Sequence, residues 1–96
     1  MNSKIIKIPH LDYTIVVENK DKGDRDHSDA YTKHVCYGEV LLKIKMPIGP
    51  TRASYLLHEI IHILQFICED KGMSFTTEIE SMAYLSDWLF KEIIKL

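Results

Sequence analysis

Apolar positions along the chain follow two rhythms, one of period two and one of period 3.6, which divide it into a strand-forming half and a helical half. Residues 4–8 and 12–18 are short runs rich in β-branched and aromatic side chains with Pro9-His10 between them, and they predict two strands of a hairpin. From Asn19 to Lys33 the sequence turns polar, too poor in apolar side chains to order itself, which predicts a solvated loop. Structure resumes over residues 34–46, where Val40, Leu42, Ile44 and Met46 alternate with Leu41, Lys43 and Lys45, the pattern of a strand with one face buried. Pro47-Ile48-Gly49-Pro50 breaks that strand, and Thr51 or Ser54 is suited to cap a helix. That helix is predicted over about residues 51–70, with Ala53, Leu56, Leu57, Ile60, Leu64, Ile67 and Cys68 inward and Thr51, His58, His62, Gln65 and Glu69 outward. Lys71-Gly72 ends it, glycine being suited to the left-handed terminating position. Thr76 or Thr77 opens a second helix reaching Leu96, with Ile79, Met82, Ala83, Leu89, Phe90 and Ile93 inward. The expected class is α+β: a short antiparallel or mixed sheet of about three strands packed on two long helices, in a single domain spanning residues 1–96.

Composition narrows the function classes. The net charge is −2 with lysine and arginine spread along the chain, which argues against a nucleic-acid or anionic-membrane partner. No stretch approaches membrane-spanning length and the first residues lack the apolar core of a signal peptide, so a cytoplasmic protein is expected, with Cys36 and Cys68 as reduced thiols. Asp21, Asp24, Asp26 and Asp29 invite a calcium-loop reading, but the glycine and closing glutamate of that pattern are absent, which favours a solvated loop.

Candidate chemistry concentrates in His58-Glu59-Ile60-Ile61-His62. Histidines four apart share one helical face and can turn a nitrogen each onto one zinc ion, while the glutamate between them can take a proton from a zinc-activated water. Both histidines point away from the helix's own apolar stripe, in the middle of the helix rather than at a frayed end. Catalytic zinc asks for a third protein ligand, and the second helix offers Glu78 and Glu80. Periodicity leaves both open. Glu80 is preferred because it shares a stripe with Ala83, Tyr84 and Asp87, where a small alanine would let the helices approach.

These features resemble the minimal core of the gluzincin metallopeptidases, whose third ligand is a glutamate on a following helix. The resemblance covers about residues 37–90 and rests on His58-Glu59-Ile60-Ile61-His62 and on Glu80-Ser81-Met82-Ala83-Tyr84; small phage-encoded and prophage-encoded HExxH proteins look similar too. It implies a zincin-like fold, a Zn²⁺ cofactor and a protein or peptide substrate. Many relatives carry an aspartate where Tyr84 stands, so the duty of orienting a histidine would pass to Asp87.

The expected activity is hydrolysis of a peptide bond, with His58, His62 and Glu80 as metal ligands and Glu59 as general base. Tyr84, His34 or Tyr37 would stabilise the oxyanion, the sequence not ranking them, and substrate would lie extended along the strand at 38–46. The alternative is a non-catalytic zincin-like binding module whose metal is structural or vestigial. An intact Glu59 favours the enzyme, and the small size favours the module. His10, His27 and His34 lack partners at ligand spacing and read as surface or turn residues, Cys36 as a small buried side chain, Tyr55, Trp88 and Phe90 as core or helix contacts, and Asp87 also as an exposed charge.

Overall fold

A computed structural model describes residues 3–20 and 29–96; Asp21, Asp24, Asp26 and His27 of the acidic loop lie outside them. Strands β1 (Ser3–Ile8), β2 (Tyr13–Asn19), β3 (Ala30–Cys36) and β4 (Glu39–Ile44) form one sheet, followed by helices α1 (Ala53–Lys71) and α2 (Ile79–Ile93). The class is α+β as the periodicities predict, with a mixed sheet of four strands among the described residues.

The sheet order is β1-β2-β4-β3. β1 and β2 pair antiparallel, as do β3 and β4, and the two hairpins meet along a parallel pairing of β2 with β4 that sets Thr14 against Glu39 and Asn19 against Ile44. Alternate residues Tyr13, Ile15 and Val17 of β2 and Val40, Leu42 and Ile44 of β4 are buried, so the period of two places one sheet face against the helices. The β3–β4 turn needs Gly38, whose φ of 84° is strained for residues with a Cβ.

β3 is the strand missing from the expected sheet of three. Its residues 30–33 belong to the stretch predicted as a polar loop, and beyond Ala30 its side chains are half-buried or exposed, as befits an edge strand.

On α1, Leu56, Ile60, Ile63, Leu64, Ile67 and Cys68 enter the core, while Leu57, predicted inward, is half exposed. Gly72 closes the helix in the left-handed conformation and donates its N–H to the Cys68 carbonyl, as expected. On α2, Met82, Leu89 and Ile93 are buried, with Leu85, Trp88 and Phe90 packed partly against the core. Ile79 and Ala83, predicted inward, are exposed, as is Tyr55 on α1. Among the described residues, no helix is long and apolar enough to cross a membrane.

Candidate active site

His58 and His62 project from the solvent face of α1, one turn apart. Their Nε2 atoms approach to 3.2 Å with the rings inclined at 68°. Two Zn–N bonds of about 2.05 Å at a tetrahedral angle separate the nitrogens by about 3.3 Å. The pair therefore already has the bite of a two-histidine chelate. The i,i+4 spacing and the apolar stripe that turns both rings outward create it.

Glu59 sits about 100° round the helix from His58, towards β3. The residue is only 7% exposed, the one charged residue buried among those described. Thr32 of β3 donates its hydroxyl to Glu59 Oε1 at 2.8 Å. A buried carboxylate is costly without such a donor, and the contact latches the middle of the helix to the edge strand.

A second junction lies three turns further along α1. Asp70 Oδ2 accepts from the Tyr13 hydroxyl at 2.7 Å, His34 Nε2 at 2.9 Å and the Gly38 amide at 3.0 Å. The Tyr13 bond, followed by those of Gly38 and His34, holds the Asp70 carboxyl at about 2, below its ordinary value. Burial, reinforced by the carboxylate, pushes the Tyr13 hydroxyl up. The His34 ring stacks on Phe66 with centroids 5.0 Å apart, so one donor is fixed by packing as well as by charge.

The remaining predicted residues fall elsewhere. Glu80 and Tyr84 are exposed, Tyr84 by 75%, on the outer stripe of α2 with Ala83 and Asp87. Two residues span about 200° of a helix, so burial of Met82 turns Glu80 and Tyr84 outward. Asp87 pairs with Lys91 at 3.0 Å on the same outer face and orients no histidine. Glu78, four residues before Met82, is half-buried on the inner side, and its charge acts on the Cys68 thiol, which burial above all pushes up. Among the described residues no three histidine, cysteine or acidic side chains are grouped to hold a metal, so neither glutamate joins the histidine pair.

Substrate placement also changes. The strand at 38–46 is interior, paired with β2 on one side and β3 on the other, and has no edge to offer. The outer edge beside α1 is that of β3. Tyr37, in the β3–β4 turn, lies under the Lys71 ammonium, 5.2 Å from the ring centroid, and Cys36 is exposed rather than buried. His34, read as a surface or turn residue, is a working member of the Asp70 junction.

Sequence reasoning missed Thr32 and Asp70. Asp70 left a signal: a carboxylate in the last turn of a helix opposes the macrodipole, so its presence there called for donors from outside the helix. Thr32 left only a weak one, the β-forming character of Tyr31, Thr32 and Val35. No family model, curated protein or solved structure matches the chain.

Proposed function

We propose that the chain is a metal-dependent hydrolase of the metallopeptidase type, acting on a peptide bond with Glu59 as general base. The observation that carries this reading is the convergence of His58 and His62 Nε2 at 3.2 Å, on the helical turn that also carries a buried and tethered glutamate. The pair fits zinc as two of its ligands. Zinc bound there would supply Lewis acidity, lowering the pKa of water and polarising a carbonyl.

The chain's own residues account for the rest. Glu59 accepts a proton from the attacking water and returns it to the leaving amine. Thr32 holds Oε1 and so fixes the carboxylate's direction. The outer edge of β3, which no other strand covers among the described residues, can hydrogen-bond an extended peptide as an added strand, lying beside the helix that carries the histidines.

A second reading, a non-catalytic binding module, is favoured by one observation: no third ligand accompanies the histidines among the described residues. Bound zinc measured on purified protein, with turnover of a proteome-derived peptide library by wild type and by Glu59→Gln, separates the two. Zinc retained by both proteins, with cleavage lost only in Glu59→Gln, is the expected result. Zinc without turnover in either protein overturns the enzyme reading, and absence of zinc after reloading overturns the metal site.

A further inference from the structure

On the side of the histidines away from β3, an open groove of about 440 Å³ runs along α1, lined by Ile61, Gln65, Cys68, Glu69, Met73 and Phe75. Its volume lies within the roughly 300–1,000 Å³ of ligand clefts. It lies beside the candidate site on α1, since Ile61 immediately precedes His62 and Gln65 stands about one turn beyond it. The α1–α2 connection supplies the opposite wall through Met73 and Phe75. Ile61 is 53% and Phe75 36% exposed, leaving apolar surface uncovered at the groove's mouth.

Charge narrows the occupant. Among the described residues Glu69 is the one charged side chain lining the groove, and it is exposed. The charge of Glu78 is felt at the Cys68 thiol on the groove floor. The nearest lysine on α1, Lys71, is held over the Tyr37 ring at the β3–β4 turn. The groove thus combines an apolar wall with an acidic margin.

We infer that this groove takes an apolar side chain from an extended peptide that carries a lysine or arginine beside it, Ile61 and Phe75 packing the side chain and Glu69 receiving the cation. This names the substrate class of the site proposed above and rests on that reading for cleavage; binding is measurable without it.

The test titrates the Glu59→Gln protein, by fluorescence anisotropy, with labelled Gly-Ser peptides carrying Leu-Lys, Ser-Lys or Leu-Asp at one central position. Leu-Lys is expected to bind at least about tenfold tighter than Ser-Lys, the effect of burying one leucine. It is also expected to bind several-fold tighter than Leu-Asp, a gap that closes with Glu69→Gln or in high salt. Ile61→Asp, at an exposed position and with folding checked by circular dichroism, is expected to abolish the preference for leucine. Equal affinity for the three peptides overturns the inference, as does unchanged selectivity in Ile61→Asp. A dimer in sedimentation that Ile61→Asp dissolves also overturns it, since the groove would then be filled by a second copy. Cleavage by wild type with no Leu-Lys preference defeats the groove and leaves the hydrolase standing; selective binding without turnover does the reverse.

Discussion

Replacing Thr32 by valine removes the hydroxyl that, among the described residues, donates to the buried Glu59 side chain. Valine keeps the shape and the β-propensity of threonine, so the change falls on the hydroxyl that donates to Oε1 at 2.8 Å. A hydrogen bond to a charged group contributes about 1.5–3 kcal/mol, and Glu59 as a whole is only 7% exposed, which leaves little water to replace the donor. We expect a loss of about 2 kcal/mol, lowering the thermal midpoint by roughly 8–16 °C for a domain of this size. In the Glu59→Gln background the amide oxygen accepts the same hydroxyl as a neutral partner, and the same substitution is expected to cost about 1 kcal/mol. Urea unfolding of the four proteins of this cycle gives the coupling directly. A penalty below about 0.5 kcal/mol in both backgrounds, the range of an ordinary surface change, would refute the latch between α1 and β3.

Three further outcomes are expected of the same structure. Asp70 has a folded-state value of about 2 against an ordinary 3.8, so its contribution is complete above the ordinary value and is lost as pH falls from about 4 to about 2; acid unfolding of Asp70→Asn should lack that part of the slope. Gly72→Ala forces a Cβ into the left-handed conformation at the end of α1 and should cost about 1 kcal/mol in urea unfolding. Zinc at a hundred times its dissociation constant should raise stability by about 2.7 kcal/mol, read as a calorimetric shift; His62→Ala should show none of it, and an equal shift in that variant would place the metal elsewhere.

What the sequence made legible were the elements whose burial is one-sided and regular. β4 alternates without a break and α1 keeps its apolar stripe for five turns, so both, and the outward histidines, could be read directly. β3 could not. An edge strand wets most of its side chains, and Lys33-His34 continues the polar character of the preceding run. The choice of a third ligand meets a different limit. A helical wheel shows that Glu78 and Glu80 flank an apolar face, but which flank turns towards a neighbour depends on how Met82, Leu85 and Leu89 pack. Thr32 with Glu59, and Tyr13 with Asp70, join residues 27 and 57 positions apart, and no local pattern encodes such meetings.

The outer edge of β3 has a consequence for the protein's behaviour at high concentration. A strand edge that can receive a peptide can equally template a neighbouring molecule, the first step of edge-to-edge aggregation. Two features oppose it. The register shift between His34 and Cys36 interrupts the ladder, and such irregularities twist a strand away from flat pairing. Lys33, exposed midway along the strand, sets like charges against each other whenever two antiparallel copies align there. The edge is thereby shortened to a stretch that can hold a few residues of a guest while discouraging the long, flat pairing from which fibrils grow.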